Sequence, residues 1–253
     1  MKPFFDGPLP RVIAHRGFAP AGGTIVENTL PAFAAALELG ATHLETDVHA
    51  SSDGHAVISH DPDLSRLAGH SGQVSDFTLE QLTAIDLGGG VGFCSLEEAL
   101  ATFPEARFNI DIKSADAAAP TAAAVIATAA HDRVLVTSFS GSRRLAAVRL
   151  LPGVATSASA GAFAVALLAN AIGLTPLMGF ALRRVDAVQV PVKALGLRVP
   201  TERFIRRLHG YGIEMHNWTI NDAETMRELV ALGVDGIVSD RTDIAVASIV
   251  STS

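Results

Sequence analysis

The stretch His43-Leu44-Glu45-Thr46-Asp47-Val48 carries two acidic residues inside a run of strand-like composition. Successive side chains of a strand point to opposite faces, so Glu45 and Asp47 project to the same side. Asp111 and Lys113 repeat this spacing in a second such run farther along the chain. An ionised side chain within a strand is costly unless a partner compensates it. The two runs therefore predict a polar site built on these strands.

Similar apolar runs occur along the whole chain and alternate with Ala- and Leu-rich helical stretches. This alternation is typical of repeated βα units and a parallel sheet. The runs suit closure into an α/β fold, the TIM (β/α)₈ barrel, and a chain of 253 residues fits one such domain. We predict a single domain over residues 1–253 with strands at Arg11–His15, His43–Val48, Arg107–Lys113, Val134–Ser138, Gly153–Ser157, Ala187–Val190, Gly212–Trp218 and Gly236–Ser239.

After the second strand the chain does not turn directly into a helix. It carries Val57-Ile58-Ser59-His60-Asp61 and a glycine-rich stretch instead. We predict a small insertion over approximately residues 49–77 above the C-terminal mouth of the barrel, where loops of barrel enzymes carry the chemistry. Capping patterns predict helix starts at Thr78 with Gln81, Ser95 with Glu98, and Asn221 with Glu224.

The bulk composition restricts the classes of partner and location. The formal charge of −7 and the lack of a Lys/Arg cluster argue against a nucleic-acid surface. Cys94 is the only cysteine, which excludes an intramolecular disulfide and a cysteine metal cluster. Residues 1–11 include three prolines and lack the apolar region of a secretory signal, so a cytoplasmic location is expected.

The acidic pair Glu45 and Asp47 favours a bound cation, because two neighbouring carboxylates raise each other's pKa. A set of oxygen ligands selects a hard divalent ion, Mg²⁺ or Ca²⁺, over zinc. The simpler interpretation is that these acids are strand-end charges that face water or pair with Lys113. Both interpretations stay open on spacing alone.

Two histidines lie where catalytic groups are expected. His15 ends the first predicted strand and precedes Arg16, and His60 ends the apolar run of the insertion. Two histidines near a metal can divide the work of accepting and donating a proton. The forked guanidinium of Arg16 suits a phosphate. His131 and His209 are interpreted as surface residues.

Six short segments then occur in a fixed order that spans nearly the whole chain. They are His15-Arg16-Gly17, Glu27-Asn28-Thr29, Glu45-Thr46-Asp47-Val48, His60-Asp61, Trp218-Thr219-Ile220-Asn221 and Gly233-Val234-Asp235-Gly236-Ile237-Val238-Ser239-Asp240. Each is weak alone, but the ordered set resembles the glycerophosphodiester phosphodiesterase family. The resemblance implies metal-dependent hydrolysis of glycerophosphodiesters to glycerol 3-phosphate and an alcohol by histidine acid–base catalysis.

The same resemblance implies roles for individual residues. His15 and His60 are expected to form the catalytic acid–base pair. Glu45 and Asp47 are expected to bind one divalent metal ion, Mg²⁺ or Ca²⁺. Asp111 is expected to be the third ligand, in a position where most members carry a glutamate.

Substrate contacts are expected from residues around this centre. By the resemblance, Arg16 and Lys113 hold phosphate oxygens, and Glu27 braces Arg16 or the metal shell. Trp218 is either an aromatic residue of the core or, as the resemblance implies, a wall of the substrate pocket beside the glycerol. Gln189, on the sixth predicted strand, is expected to face the same pocket.

The implied route uses the glycerol 2-hydroxyl as an internal nucleophile and passes through a cyclic phosphate. An attacking group already attached to the substrate gains effective molarity. Two other classes stay open: a non-catalytic lipid-binding barrel, and an aldolase or isomerase on the same scaffold. The latter needs a Schiff-base lysine, and Asp111 favours the charged form of Lys113 over the free amine.

No charged residue lies between Val154 and Leu182. This length approaches the roughly 20 residues of a membrane span, but Asn170, Gly173 and Pro176 interrupt it. One interpretation is the ordinary fifth barrel helix followed by an apolar loop. The other is an apolar lip over residues 154–182 that contacts a membrane or an acyl chain. The lip would favour lysophospholipid substrates and lysophospholipase D-type hydrolysis.

Overall fold

The structure, a computed structural model, describes residues 2–194 and 196–250, so residues 1, 195 and 251–253 of the predicted domain lie outside the described residues. The strands are β1 Arg11–Ala14, β2 His43–Ala50, β3 Ala56–Ile58, β4 Arg107–Ile112, β5 Val134–Thr137, β6 Ala155–Thr156, β7 Ala187–Val190, β8 Lys193–Ala194, β9 Leu197–Arg198, β10 Glu214–Asn217 and β11 Gly236–Ser239. The α-helices are α1 Leu30–Glu38, α2 Ser65–Ala68, α3 Leu79–Thr83, α4 Leu96–Thr102, α5 Ala118–Ala127, α6 Gly141–Leu150, α7 Ala160–Ala171, α8 Thr175–Leu182, α9 Glu202–His209, α10 Ala223–Ala231 and α11 Thr242–Ala245. Short 3₁₀-helices cover Pro3–Phe5, Val74–Asp76 and His131–Arg133, and a π-helix covers Val246–Val250.

Eight parallel strands form the wall of a barrel, in the order β6-β5-β4-β2-β1-β11-β10-β7. In the pairing of β2 with β4, Asp47 lies opposite Asp111. The ring nearly closes between β6 and β7, where Ser157 and Ala187 form a parallel bridge. The backbone N–H of Ala158 also donates to the Ala187 carbonyl at 2.9 Å. The predicted TIM barrel is confirmed.

Alternating side chains along each strand separate the apolar outer layer from the barrel interior. Leu44 and Val48 of β2 and Ile110 of β4 lie in the buried apolar core shared with the helices. The intervening acids Glu45 and Asp111 instead line a cavity. Because the period of a strand is two residues, the same strands supply both the core and the polar site.

The N-terminal end of the barrel is closed by the 3₁₀-helix Pro3–Phe5. Its two phenylalanines are buried against inward-facing side chains of three strands, namely Leu135, Ala155 and Ala187. Beside them the buried guanidinium of Arg11 donates to both carboxylate oxygens of Glu214, at 2.9 and 2.8 Å. A cavity within the barrel is therefore reached from the opposite, C-terminal mouth.

The chain between β2 and α4, residues 51–95, is here called the excursion. It begins with β3, which pairs antiparallel with β2, and contains α2, the 3₁₀-helix Val74–Asp76 and α3. Its apolar residues form a cluster of their own, made of Val57, Leu64, Val74, Leu82, Leu87 and Phe93. The backbone N–H of Ser59 donates to the Asp47 carbonyl at 3.0 Å, which holds the following His60 above β2.

Helix starts follow the predicted caps in two of three cases. Thr78 and Ser95 are the N-caps of α3 and α4, and each side chain accepts a backbone N–H from the third helical residue. The predicted cap at Asn221 is wrong, because Asp222 caps α10. The amide of Asn221 instead bonds to Asp240 at the end of β11, with 2.8 Å between Nδ2 and Oδ2.

The uncharged segment forms β6 and two helices, α7 and α8, which pack against each other. One interpretation of this segment was a fifth barrel helix followed by an apolar loop. The loop is wrong, because Thr175–Leu182 form a second helix. Among the described residues, no helix combines the length and the apolar character that a membrane crossing requires. Buried side chains of the pair include Phe163, Leu167, Met178 and Leu182, whereas large apolar residues on the outer faces are exposed.

Candidate active site

The site residues predicted from sequence converge on one cavity of about 540 Å³ at the C-terminal mouth. Nine of the ten line it: His15, Arg16, Glu45, Asp47, His60, Asp111, Lys113, Gln189 and Trp218. The tenth, Glu27, lies behind Arg16 and bonds to it. One side of the cavity is charged and the other is apolar.

The turn after β1 orients Arg16 toward the acids. Arg16 has a φ of 57°, in the left-handed region, and its backbone N–H donates to Glu45 Oε2 at 3.0 Å. Gly17 follows with a φ of 78°, and a Cβ at this position would lie 2.6 Å from the Ala32 carbonyl carbon. Only glycine fits there. The glycine of the His-Arg-Gly sequence is therefore required by the turn that brings the Arg16 backbone to Glu45.

Lys113 lies between two of the three carboxylates. Its Nζ is 2.8 Å from Asp47 Oδ1 and 2.7 Å from Asp111 Oδ2. Burial would lower the pKa of Lys113, but the charges of Asp47 and Asp111 outweigh it and raise the pKa. Lys113 is accordingly an ammonium ion, and pairing with Lys113 accounts for part of the charge on these strands.

Glu45 lies outside that ion pair. Its nearest ion-pair partner among the described residues is His15, with 3.9 Å between Glu45 Oε2 and Nε2. Burial, reinforced by the charge of Asp47, raises the pKa of Glu45 to about 8. Oδ1 of Asp111 is also buried and has no hydrogen-bond partner in the described part of the chain. Asp47 also pairs with Arg16, whose Nε lies 3.3 Å from Oδ2. With all three acids ionised, their negative charge would exceed the positive charge of Lys113 and Arg16 together.

A divalent cation would supply the missing positive charge. Within residues 2–194 and 196–250, no three His, Cys, Asp or Glu side chains are placed as a ready metal centre. Nζ of Lys113 lies between Asp47 and Asp111. The donor set still fits a hard cation, because Glu45 and Asp111 retain buried carboxylate oxygens in need of charge compensation.

His15 and His60 each have a carboxylate behind the ring. Nδ1 of His15 lies 2.6 Å from Asp240 Oδ1, and Nδ1 of His60 lies 2.7 Å from Asp61 Oδ1. A carboxylate at Nδ1 fixes the tautomer and leaves Nε2 for proton transfer. Burial would lower the pKa of His15, but the charge of Glu45 and the hydrogen bond to Asp240 raise it. Both rings line the cavity and can exchange protons there.

Glu27 connects the two sides of the mouth. It accepts hydrogen bonds from Arg16 at 3.0 Å and from Arg66 of the excursion at 2.7 Å. Arg66 also donates to Asp61, the partner of His60. Of the two contacts expected for Glu27, the one with Arg16 is observed.

The apolar side of the cavity is aromatic. The rings of Trp218 and Phe139 meet edge to face with centroids 5.9 Å apart, and Phe163 of α7 lines the same side. Gln189 also faces this cavity, and its Oε1 accepts from Ser157 at 3.2 Å. Trp218 is therefore a cavity wall rather than a core residue.

Asn28, Arg66 and Asp240 also hold the site together, although no spacing rule predicts them. The buried amide of Asn28 donates to Asp47 Oδ2 at 3.1 Å and accepts from Thr46 at 2.9 Å. In the sequence, only their position within the ordered motifs pointed to Asn28 and Asp240 as site residues. Arg66 lies outside those motifs and carried no signal.

Known proteins share this sequence pattern and fold. A sequence model of the glycerophosphoryl diester phosphodiesterase family matches residues 15–244. The "Probable glycerophosphodiester phosphodiesterase 2" of Mycobacterium tuberculosis is 39% identical over 233 residues, which cover 92% of this chain and 88% of that protein. A glycerophosphodiester phosphodiesterase structure from Thermotoga maritima gives a TM-score of 0.72 at 27% identity, over 96% of this chain and 99% of that one. A second glycerophosphodiester phosphodiesterase structure, from Agrobacterium tumefaciens, gives a TM-score of 0.75 at 24% identity and covers 94% of this chain and 100% of that one.

The fold and these relationships define a barrel hydrolase of phosphoric diesters. The chain belongs to the glycerophosphoryl diester phosphodiesterase family, as the ordered motifs predicted.

Proposed function

We propose that this protein hydrolyses glycerophosphodiesters to glycerol 3-phosphate and an alcohol, with one divalent cation, Mg²⁺ or Ca²⁺. The observation that carries the proposal is the pair of carboxylate-backed histidines, His15 and His60, in one cavity with three buried acids. Such a cavity can bind a phosphodiester and move a proton at each of its two ester oxygens.

Glu45, Asp47 and Asp111 are the proposed cation ligands, and a bound cation would draw charge from the phosphoryl oxygens. Arg16 supplies a planar pair of donors for the same oxygens. Lys113 adds a second positive group, which its raised pKa keeps charged.

One histidine removes the proton of the nucleophile, and the other protonates the leaving alcohol. We propose the glycerol 2-hydroxyl as the nucleophile, so the first product besides the alcohol is a cyclic phosphate that water then opens. Holding the glycerol in place raises the effective concentration of this hydroxyl. Trp218 and Gln189 line the side of the cavity that is free to hold the glycerol.

The test is turnover of glycerophosphoethanolamine with both products identified. The proposal expects glycerol 3-phosphate, and a cyclic glycerol phosphate trapped in brief reactions. Release of glycerol together with phosphoethanolamine would contradict the direction of cleavage. Absence of turnover with any glycerophosphodiester, with Mg²⁺ and Ca²⁺ both supplied, would contradict the function.

A second candidate function is lysophospholipase D-type hydrolysis of lysophospholipids at a membrane surface. The apolar side of the cavity reaches α7 through Ala160, Phe163 and Ala164. Beyond it, the outer faces of α7 and α8 and the turn between them expose large apolar side chains, namely Val165, Leu168, Ile172, Leu174, Leu177 and Phe180. We call these six residues the apolar surface.

Cations border the apolar surface in an otherwise acidic protein. The guanidinium of Arg183 stacks 4.0 Å from the centroid of Phe180, and Arg184 beside it is exposed. An apolar face with flanking arginines suits an anionic phospholipid surface. Contact there would bring the acyl chain of a lysophospholipid to the aromatic side of the cavity.

The two rival classes have less support. A lipid-binding barrel without turnover has no need of both histidines with their carboxylates. An aldolase or isomerase that forms a Schiff base needs a neutral lysine, whereas Asp47 and Asp111 raise the pKa of Lys113.

A further inference from the structure

A second cavity, of about 470 Å³, lies on the excursion side of the mouth. His60 and Lys113 line both this cavity and the larger one. The other side chains around it are mostly polar: His49, Gln73, Ser75, Ser114 and Asp116. The mouth therefore has two compartments that meet at His60 and Lys113.

We infer that the second cavity receives the leaving alcohol of the diester and selects a small amino alcohol with a primary ammonium group. This inference rests on the proposed function. A phosphodiester has two arms that leave the phosphorus in different directions. Arg16 and the three buried acids line only the larger cavity, which binds the phosphate and the glycerol arm. The remaining arm crosses the junction at His60 and enters the second cavity.

The charge of the second cavity favours a cation. Lys113 bonds to Asp47 and Asp111 of the larger cavity, and the proposed function assigns its positive charge to the phosphate. Asp116, by contrast, is an exposed carboxylate on the cavity wall. A cationic alcohol would form an ion pair with Asp116, whereas a neutral alcohol could only donate a hydrogen bond to it.

Hydrogen-bonding groups then distinguish one kind of cation from another. Oγ of Ser114 is buried and has no hydrogen-bond partner among the described residues. A primary ammonium has three N–H donors for such acceptors, whereas a quaternary ammonium has none and is recognised by aromatic faces. Among the described residues that line this cavity, none is Phe, Tyr or Trp. Ethanolamine therefore fits better than choline.

The experiment measures kcat/KM of the full-length protein for glycerophosphoethanolamine, glycerophosphocholine and glycerophosphoglycerol. The variants are Asp116→Asn and Asp116→Lys. The matched control is Asp132→Asn, whose carboxylate is 78% exposed on the 3₁₀-helix His131–Arg133. We expect wild type to prefer the ethanolamine diester over the other two. Asp116→Asn should reduce the ratio of kcat/KM for glycerophosphoethanolamine to kcat/KM for glycerophosphoglycerol by about fivefold. This is the effect expected from the loss of one partly exposed ion pair.

Asp116→Lys should lower that ratio further, and Asp132→Asn should leave it at the wild-type value. Equal ratios in wild type and both Asp116 variants, or a wild-type preference for choline, would overturn the inference and leave the proposed function standing. If wild type hydrolyses none of the three diesters, the proposed function itself fails, and this inference fails with it.

Discussion

Nδ1 of His15 lies 2.6 Å from Oδ1 of Asp240, although the two residues are 225 positions apart in the chain. The contact joins the first and last barrel strands, which pair side by side. Asp240 is itself held by Asn221, whose side chain accepts from the Asp240 backbone N–H at 2.9 Å. The orientation of the His15 ring therefore depends on the pairing of β1 with β11.

The first prediction concerns this contact. Asp240→Asn should lower kcat by about tenfold to a hundredfold, because an amide no longer fixes the Nδ1–H tautomer of His15. Kinetics on glycerophosphoethanolamine measure this change. Asp243→Asn, which removes a partly exposed carboxylate paired with Arg241, is the control. An Asp240→Asn enzyme as fast as that control would show that the contact does not matter for proton transfer.

The second prediction concerns the cation. Chelation should abolish activity, and Mg²⁺ or Ca²⁺ should restore it, because the buried acids need charge compensation beyond Lys113. At a hundredfold excess over its Kd, the restoring ion should raise the Tm by about 5 °C. Thermal unfolding measures this shift without any assay of activity.

Asp47→Asn provides the comparison, since it removes one proposed ligand from the set. Its Tm should respond little to the ion. Full activity of the wild-type protein after thorough chelation would contradict the metal assignment, as would an equal Tm shift in wild type and Asp47→Asn.

The third prediction concerns the apolar surface. Leu168→Gln combined with Phe180→Gln should reduce binding to anionic phospholipid vesicles at least tenfold. Each of these side chains is more than half exposed, at 52% and 62%, and burying one in lipid contributes about 1.5–3 kcal/mol. Vesicle co-sedimentation measures the change. Turnover of a lysophospholipid in the same vesicles should fall with it.

Ile126→Gln is the matched control, because Ile126 is an apolar side chain of α5 that is 66% exposed outside the apolar surface. It should bind vesicles like wild type. If wild type does not bind vesicles, or if the double variant binds equally well, membrane contact through residues 154–182 is excluded.

The parts of the site that lie on strands could be predicted from the sequence. Glu45 and Asp47 share a side because the side-chain period of a strand is two residues. His15 was expected at the mouth because it lies at the end of a predicted strand, and parallel strands end at one rim of a barrel. For Trp218 the strand pattern left a core position open, and only the family resemblance favoured the pocket wall.

Contacts between distant segments could not be predicted in this way. The bond from Asn28 to Asp47 and the one from Arg66 to Glu27 depend on how two loops meet in space. Asn221 and Asp222 are both good capping residues, and the tertiary contact with Asp240 decides which of them caps α10. Pro176 interrupts an apolar run in the sequence, but it lies in the first turn of α8, where proline favours a helix.

The fourth prediction concerns stability at the closed end of the barrel. Burial opposes ionisation of Glu214, but Arg11 and His216 outweigh it and lower the pKa to about 2 from 4.5. The folded protein therefore holds this carboxylate ionised more strongly than the unfolded chain does. The resulting stabilisation, about 3 kcal/mol, is complete above pH 4.5 and is lost as the pH falls toward 2.

Denaturant titrations between pH 7 and pH 3 measure the effect as a decrease in the free energy of unfolding. The double variant Arg11→Met with Glu214→Leu removes both charges at once, which avoids leaving one buried charge unpaired. Its free energy of unfolding should decrease less than that of wild type over this range. Identical pH dependence in the two proteins would refute a stabilising role of the ion pair.

The most direct test of the central claim is the rate at which His15→Ala and His60→Ala release glycerol 3-phosphate from glycerophosphoethanolamine. Both rates should fall by about 10²–10⁴-fold relative to wild type, because each variant lacks one of the two proton-transfer groups. His131→Ala, which changes a histidine outside the cavity, should retain the wild-type rate. A near-normal rate in either His15→Ala or His60→Ala would contradict the claim that these two histidines carry out catalysis.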